Sequence, residues 1–206
     1  MAQDPQTTPQ PGSFELLEER LHALNDQAKG LAFEKLCCQF LKTDPVYSKH
    51  VKQVWLWQDW PERWGPDVGI DIMVETLAGN LWAVQAKAVR ADRSISKREI
   101  DSFLSESNRP EIKYRLLIAT TDNLGRNARK TLQAQEKPIG IVLRGNLVQA
   151  ELIWPDKVGP LPKKLPRKKP RPHQAKAIRD VVKGFQDHRR GQLIMACGTG
   201  KTLTSL

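Results

Sequence analysis

Residues 69–89, GIDIMVETLAGNLWAVQAKAV, alternate apolar and polar side chains twice, once on each side of a short break. Alternation with a period of two is typical of β-strands. It predicts one strand over 69–76 and a second over 81–89. The break contains Gly79, and glycine tolerates the left-handed conformation that tight hairpin loops need. The stretch therefore predicts an antiparallel hairpin.

The length of the hairpin loop decides which polar side chains face one another. A three-residue loop that ends at a left-handed Gly79 pairs Asp71 with Gln85 and places Lys87 diagonally beside Asp71. A two-residue turn would instead pair Asp71 with Ala86 and break the polar cluster. The first register is favoured because it gathers the apolar residues on one side (Ile70, Ile72, Val74, Trp82, Val84 and Ala86). We therefore expect one buried sheet face and one face that carries Asp71, Gln85 and Lys87.

The sequence on either side of the hairpin predicts the rest of an α/β domain. Apolar residues at helical spacing predict helices over 26–42, 96–107 and 123–135, and Ser13 is expected to cap an earlier helix. Extended apolar runs predict strands over 51–57, 114–121 and 139–143. The order is helix, three strands, helix, strand, helix, strand. This order indicates a mixed sheet flanked by helices.

Composition excludes several classes of protein. The chain has 206 residues with 39% hydrophobic and 27% charged residues, which excludes a collagen, a coiled-coil rod and a wholly disordered chain. No stretch is apolar enough to span a membrane, and residues 1–13 do not resemble a secretory signal. Three cysteines cannot form a framework of disulfide bridges, and the four histidines have no zinc-ligand spacing with them. We expect a cytoplasmic protein with no membrane partner.

The positive charge is unevenly distributed along the chain. The formal net charge is +10, which suggests a polyanionic partner such as nucleic acid. Seven basic residues and no acidic one lie between Lys157 and Arg171, in a proline-rich segment. We therefore divide the chain into a disordered start (1–12), a globular domain (13–154), a basic linker (155–171) and the beginning of a second domain (172–206).

The polar residues of the hairpin suit hydrolysis of a phosphodiester bond. Asp71, Gln85 and the Ala86 carbonyl can offer oxygen ligands to Mg²⁺, which would neutralise charge on the phosphate. Lys87 can orient the attacking water and help to deprotonate it. A carboxylate from a packed helix, Glu34, can add a further contact. The simpler interpretation is a solvated sheet face with a weak Lys–Asp pair.

The segments GPDVGIDIMVE, LWAVQAKAV and LLIATTDNLGRNAR resemble the Mrr-like branch of the PD-(D/E)xK restriction endonucleases. The resemblance covers roughly residues 28–154. It implies that Asp71 binds the metal, that Gln85 replaces the second acidic ligand and that Lys87 is the catalytic lysine. It also implies that Glu34 is the helix glutamate of the family. Asp67 corresponds to the first aspartate of the loop motif.

The chain departs from the family pattern at two positions. Val68 stands where the loop motif normally has glycine, a change that we expect to be harmless. Gln85 is neutral, as is usual in this branch, so the site carries less negative charge than an all-acidic site would. The number of metal ions therefore stays open.

A second motif, CGTGKT at 197–202, follows a short apolar run. A strand, a glycine-rich turn and a helix present backbone N–H groups to a phosphate, with Lys201 near the terminal phosphates and Thr202 near magnesium. The motif resembles motif I of superfamily 2 helicases and implies phosphate contacts at Gly198 and Gly200. Upstream, RPHQAKAI resembles their adenine-reading motif and implies a contact from Gln174. We expect ATP to be hydrolysed only by a longer protein.

A nuclease domain followed by a helicase motor resembles the single-polypeptide type I enzymes called type ISP. The resemblance implies a Mg²⁺-dependent endonuclease that acts on double-stranded DNA, with motor, methyltransferase and target-recognition domains in the same polypeptide. Two copies could pair during cleavage. One alternative is a non-catalytic DNA-binding or docking module of a helicase. A third interpretation, a helicase accessory domain, predicts ATPase coupling without cleavage.

Four tryptophans lie within ten residues, at 55, 57, 60 and 64. Aromatic residues in strands belong more often to a core than to a base-stacking surface. We therefore expect Trp55 or Trp57 in the core, and we retain Trp60 and Trp64 as candidate DNA-facing residues.

Overall fold

The structure, a computed structural model, describes residues 9–66, 69–157, 159–160, 162–166 and 170–190. The chain divides into two compact units, Met1–Leu165 and Pro166–Leu206. In the first unit the helices are α1 (Phe14–His22), α2 (Asp26–Thr43), α3 (Arg98–Glu106), α4 (Arg126–Gln133) and α5 (Arg144–Gln149). Its strands are β1 (Val51–Leu56), β2 (Ile72–Thr76), β3 (Leu81–Lys87), β4 (Ile112–Ala119), β5 (Ile139–Val142), β6 (Leu152–Ile153) and β7 (Lys163–Lys164).

Five strands form one mixed sheet in the order β1-β2-β3-β4-β5. Strands β1, β2 and β3 are antiparallel neighbours, whereas β3, β4 and β5 run parallel to one another. Helices connect the parallel strands, since a parallel connection must cross from one end of the sheet to the other. The predicted α/β fold with a mixed sheet is therefore confirmed.

The β2–β3 hairpin has the predicted loop and register. The Thr76 N–H donates to the Asn80 carbonyl at 2.9 Å, which closes a three-residue loop. Gly79 ends this loop with a φ of 76°, in the left-handed region that favours glycine. Further along the ladder, Ile72 pairs with Val84. The favoured register is confirmed from Ile72 to Glu75, whereas the predicted pairing of Asp71 with Gln85 is not part of the ladder.

The sheet is buried on both faces, which corrects the prediction of one polar face. On one side, Val74 and Val84 pack with residues of α1, α2 and α5. On the other side, Met73 and Ala83 pack in a second core with residues of α3 and α4. The alternation in the hairpin predicts one apolar face and one polar face. The positions of the predicted polar face, however, also include Met73 and Ala83. In β2 and β3, the polar residues lie toward the strand ends.

A β-bulge precedes β2 and moves Ile70 away from its predicted side. The Asp71 N–H donates at 3.0 Å to the carbonyl of Val84, the residue that also pairs with Ile72. Two residues of one strand therefore face a single partner, which shifts the alternation by one position. Ile70 packs in the second core and Ile72 in the first. The expectation that they share a side is wrong for this reason.

The chain after Trp154 remains attached to the first unit up to Leu165. Strand β7 pairs antiparallel with β6, and the Leu165 N–H donates to the Glu151 carbonyl at 3.1 Å. The Gln39 side chain donates to the Gly159 carbonyl. The boundary between the units thus falls inside the segment that the sequence marks as a linker. Near the N-terminus, the carbonyl of Gly12 accepts a hydrogen bond from the Trp154 N–H, so the chain just before α1 is held against the residue that follows β6.

In the second unit, the described residues form one helix, α6 (Pro172–Asp187). It begins with proline at its first position, where a missing N–H costs no hydrogen bond. No helix in the part of the chain that the structure describes is long and apolar enough to cross a membrane.

Candidate active site

Asp71 lies at the bulge where β2 begins, and its carboxylate reaches across to β3. Oδ2 accepts a hydrogen bond from the Ala86 N–H at 2.7 Å. The Asp71 carbonyl accepts from the Trp57 N–H at 2.8 Å, which links it to the end of β1. Both bonds hold Asp71 at the point where the ladder of β2 and β3 ends. A carboxylate bound to a backbone N–H in this way has a fixed orientation.

Glu34 approaches the same region from α2. The Cys37 thiol, one turn further along α2, has a pKa raised well above its usual range, first by burial and then by the negative charges of Cys38, Asp71 and Glu34. Both carboxylates therefore lie close enough to one thiol to act on it electrostatically. Asp71 and Glu34, 37 positions apart in the sequence, therefore both act on the thiol of α2.

Gln85 is almost completely buried, at 1% exposure. Its Nε2 donates to the carbonyl of Gly69 at 3.2 Å. Its Oε1 is buried and has no hydrogen-bond partner among the described residues. A buried acceptor without a partner is costly and uncommon. The Gln85 side chain is therefore held by one end and leaves an oxygen for something else to satisfy.

Glycine is required at position 69, and the carbonyl of this glycine accepts the hydrogen bond that holds the Gln85 side chain. Gly69 has a φ of 74°, and a Cβ there would lie 2.7 Å from Ser102 Oγ. The chain therefore passes close to α3 before it enters the bulge. This close approach presents the Gly69 carbonyl to the Gln85 amide.

Lys87 is the last residue of β3 and is partly exposed. Its carbonyl accepts from the Thr120 N–H at 3.1 Å, which joins it to the end of β4. Its charge acts on Glu99 near the start of α3. Burial there opposes ionisation, but the hydrogen bonds from Ser96 and the charges of Arg93 and Lys87 outweigh it and lower the pKa of Glu99. Lys87 is therefore on the α3 side of the sheet edge.

Three predicted catalytic residues, Asp71, Gln85 and Lys87, lie where β2 begins and β3 ends. Along β3, Gln85 and Lys87 face the same side of the sheet as Ala83, which packs in the second core with residues of α3 and α4. Ala86 faces the opposite side. Asp71 and Glu34 act together on the thiol of α2. The predicted single polar face is not formed, and we refer to the end of the β2–β3 pair, defined by Asp71, Gln85, Ala86 and Lys87, as the notch. The sequence pattern did not reveal the notch, because nothing in it marks the bulge.

The notch offers oxygen donors that suit a hard divalent cation. The Asp71 carboxylate and the buried, unsatisfied Oε1 of Gln85 are ligand types that Mg²⁺ accepts. In the described ranges, no three His, Cys, Asp or Glu residues are grouped as metal ligands. A cation at this site would therefore depend on the amide oxygen of Gln85 as well as on carboxylates. The residues present fit such an ion.

The tryptophans near the notch form a cluster. The Trp57 and Trp60 rings are 5.6 Å apart, and Trp64 packs against both rings edge-on. Trp60 is buried at 5% exposure, so the structure does not support it as a DNA-facing residue. The guanidinium of Arg109 lies 4.0 Å from the ring centre of Trp64. The cluster is part of the second core.

The second predicted site is described only in part. Gln174, in the first turn of α6, is 3% exposed, and its Oε1 accepts from the Arg171 N–H at 2.8 Å. Gly198, Gly200, Lys201 and Thr202 lie outside the described residues, as does Asp67 of the loop motif. Their predicted roles stay predictions.

Two family models match consecutive parts of the chain. A restriction endonuclease model matches residues 42–159, which is more than half of the chain. A model described as type III restriction enzyme, res subunit, matches residues 167–206. No curated protein matches.

Among solved structures, the chain is similar to the ATP-dependent type ISP restriction-modification enzyme LlaBIII bound to DNA. The identity is 33% and the TM-score 0.74, over 92% of this chain and 12% of that one. Two further matches are the modification-dependent endonuclease AspBHI (14% identity, TM-score 0.44) and MspJI in complex with a 27-mer oligonucleotide (19% identity, TM-score 0.46). Each of these covers 72% of this chain, and 39% and 34% of the respective structures.

The predicted recognition of a nuclease domain joined to the start of a helicase motor is confirmed by these matches. The notch at the β2–β3 edge lies within the segment that the nuclease model covers. The chain belongs to the restriction endonuclease family, with the beginning of a helicase-type restriction subunit after its nuclease domain.

Proposed function

We propose that the first unit is a Mg²⁺-dependent endonuclease that hydrolyses phosphodiester bonds of double-stranded DNA at the β2–β3 notch. The observation that carries this proposal is the buried Oε1 of Gln85, which has no partner among the described residues and lies on the strand whose Ala86 N–H binds Asp71. A buried neutral oxygen that is kept unsatisfied is unfavourable for folding alone. Coordination of a cation by this oxygen would offset that cost.

Mg²⁺, when bound, would neutralise charge on the scissile phosphate. The chain's own residues supply positioning and proton handling. Asp71 is fixed by the Ala86 N–H, and Gln85 is fixed through its Nε2. The ammonium of Lys87 would donate hydrogen bonds to the attacking water and stabilise negative charge that develops on the phosphate. Glu34 would hold a water or ion contact from α2.

The proposal is tested by nicking of supercoiled plasmid with Mg²⁺. Asp71→Ala and Lys87→Ala should each abolish nicking, because they remove the fixed carboxylate and the only proposed catalytic cation. Exposed residues of the same types, Asp156 and Lys49, provide matched controls as Asp156→Ala and Lys49→Ala, and these variants should retain activity. Nicking by purified, folded Lys87→Ala protein would contradict the assignment.

A non-catalytic DNA-binding module is the second candidate, favoured by the partial exposure of Lys87 and the neutral Gln85. The two functions separate in one assay: a binding module retains DNA affinity but never nicks in Mg²⁺, whatever residue occupies position 71.

We further propose that the chain is part of a longer, cytoplasmic, ATP-dependent restriction enzyme. The chain spans 12% of the length of the type ISP enzyme that it resembles. The intact protein would bind ATP through Gln174, Gly198, Gly200, Lys201 and Thr202. It would also contain motor, methyltransferase and target-recognition domains, and two nuclease units could meet during cleavage. ATPase activity of the intact protein that depends on Lys201 is the corresponding test.

A further inference from the structure

Helix α4 exposes a group of unpaired cations. Its sequence, RNARKTLQ, contains three basic residues and no acidic one. Ala128 and Leu132 are buried in the second core. At 3.6 residues per turn, Arg126, Arg129 and Lys130 point away from that buried side, and all three are exposed. We refer to these three residues as the α4 basic stripe.

Within the ranges that the structure describes, the stripe has no acidic partner. None of its three side chains takes part in an ion pair or donates a hydrogen bond. Arg144 provides a contrast, because it is held by Glu18 at 2.8 Å. The stripe is therefore a surface feature whose charges are available to an external partner.

The position of Arg126 does not serve the stability of α4. The N-terminal turn of a helix carries a partial positive charge that favours acidic side chains. Helices α1, α2 and α3 follow this preference with Glu15, Asp26 and Glu99. Helix α4 instead begins with Arg126 and has no acid in its first turn. Arg126 is therefore placed against the local electrostatic preference, which points to a role in binding, whereas Lys130 in the last turn agrees with that preference.

The stripe lies at the same sheet edge as Lys87. Strands β3 and β4 are parallel, and Lys87 pairs with Ala119, the last residue of β4. The carboxyl ends of both strands therefore meet at one edge. Helix α4 starts seven residues after Ala119, so its first turn is near the end of β3 as well.

Hydrogen bonds fix the start of α4 to the loop that follows Lys87. The single Thr121 hydroxyl lies within hydrogen-bond distance of the carbonyls of Ala91 and Arg93, at 2.9 and 2.8 Å, and donates to one of them at a time. The Gly125 N–H, next to Arg126, donates to the carbonyl of Ile95 at 2.9 Å. The helix that carries the stripe therefore has a defined place relative to the notch.

The stripe stands out against an almost neutral unit. Of the 33 Lys and Arg residues, ten follow Leu165 together with two of the 23 acidic residues, so residues 166–206 carry +8 of the net +10. The first unit carries only +2. Three unpaired cations within five residues are therefore a local concentration of charge, of the kind that attracts a polyanion.

We propose that the α4 basic stripe binds the sugar–phosphate backbone of duplex DNA as the DNA enters the notch. This inference rests on the proposed nuclease function and adds the surface that positions the substrate. Contacts to phosphates carry no sequence information, so the stripe would give the unit affinity without target recognition. Guanidinium groups at 126 and 129 suit phosphate oxygens because they can donate two hydrogen bonds each.

The test compares two variants of the full chain that lose the same charge. Arg126→Gln/Arg129→Gln/Lys130→Gln removes the stripe. Arg20→Gln/Lys42→Gln/Lys49→Gln removes three exposed cations from the helical face on the other side of the sheet. Affinity for a short duplex is measured without divalent metal, so no cleavage occurs, at several salt concentrations. Circular dichroism confirms that both variants fold.

The stripe variant should bind at least about tenfold more weakly than the control variant at 0.1 M salt. Its slope of log K against log salt should be shallower by about 2 to 3, because each lost phosphate contact removes about 0.9 from the slope. Equal affinity and slope in the two variants, or no measurable binding by the unmodified chain, would overturn the inference.

Nicking in Mg²⁺ separates this inference from the proposed nuclease function. If the stripe binds DNA, the stripe variant should nick at a rate that recovers as enzyme concentration rises, because the catalytic residues are intact. If the unmodified chain binds DNA through the stripe but never nicks, the nuclease proposal alone fails. If it nicks and the two variants bind alike, the stripe proposal alone fails.

Discussion

At the scale of single residues, Asp71 has a structural role and a proposed catalytic role that can be separated. Its Oδ2 accepts the Ala86 N–H at 2.7 Å, a bond that any oxygen in the same place could make. Its charge acts on the same thiol as that of Glu34. The structural bond therefore depends on the oxygen, and the proposed catalysis depends on the charge.

Asp71→Asn and Asp71→Ala should consequently differ in stability but not in activity. Asparagine retains an oxygen for the Ala86 N–H, so the free energy of unfolding should stay within about 0.5 kcal/mol of the unmodified chain. Alanine leaves that N–H without its acceptor and should cost about 1–3 kcal/mol. Neither variant should nick DNA. Urea unfolding and the plasmid assay measure the two effects, and an equally destabilised Asp71→Asn would contradict the separation of roles.

Residue-level prediction from sequence succeeded where the chemistry of the side chain decides the conformation. Gly79 could be placed in a left-handed loop because only glycine adopts that conformation freely. The bulge at Asp71 could not be predicted, because an extra residue in a ladder depends on the fit of both strands and Asp carries no turn signal here. Gln85 was selected by its resemblance to a family motif, but its unsatisfied Oε1 is a property of the folded chain.

At the scale of elements, the hairpin and the order of helices and strands followed from periodicity, whereas the second core did not. Met73 and Ala83 occupy positions that the alternation assigned to a polar face, and α3 and α4 bury them. A strand buried on both faces reads as nearly continuous apolar sequence, as β4 does. β2 and β3 carry polar residues near their ends and so resembled strands with one exposed face.

The contact between β4 and β5 depends on a glycine. A Cβ at Gly140 would lie 2.1 Å from the hydroxyl oxygen of Tyr114, so Gly140→Ala should destabilise the chain by about 1–3 kcal/mol through overpacking. Adding Tyr114→Phe removes that hydroxyl and should restore part of the loss, although the ring carbon stays close. Thermal unfolding of the single and double variants measures this coupling. A Gly140→Ala chain as stable as the unmodified one would show that Tyr114 moves freely, contrary to expectation.

At the scale of the whole molecule, the net charge and the nuclease fold belong to different parts of the chain. The sequence placed seven cations in a linker over 155–171, but Lys163 and Lys164 form β7 of the first unit. Even with them, the first unit carries only +2, because its acidic residues nearly balance its basic ones. Pairing between β6 and β7 brings together distant segments of the chain, so proline content alone could not reveal it.

A chain that ends at Leu165 should therefore retain the fold and the proposed chemistry but lose most of its DNA affinity. Both hydrophobic cores consist of residues before 165, so the urea unfolding transition of the first unit should be unchanged. Removing a net charge of +8 should weaken duplex binding and make its salt dependence shallower. Nicking in Mg²⁺ should persist at raised protein concentration, because the notch and the α4 basic stripe remain.

Two results would contradict the assignment of fold and chemistry to the first unit and of most DNA affinity to the residues after 165. Loss of the cooperative unfolding transition on truncation would mean that residues after 165 stabilise the nuclease core. An unchanged salt slope would mean that the eight charges do not contact DNA, and that the first unit alone supplies the phosphate contacts. A further loss of affinity when the stripe is removed from the truncated chain would assign the remaining contacts to Arg126, Arg129 and Lys130. The α4 basic stripe would then be the one identified phosphate-binding surface of the first unit, which is otherwise nearly neutral.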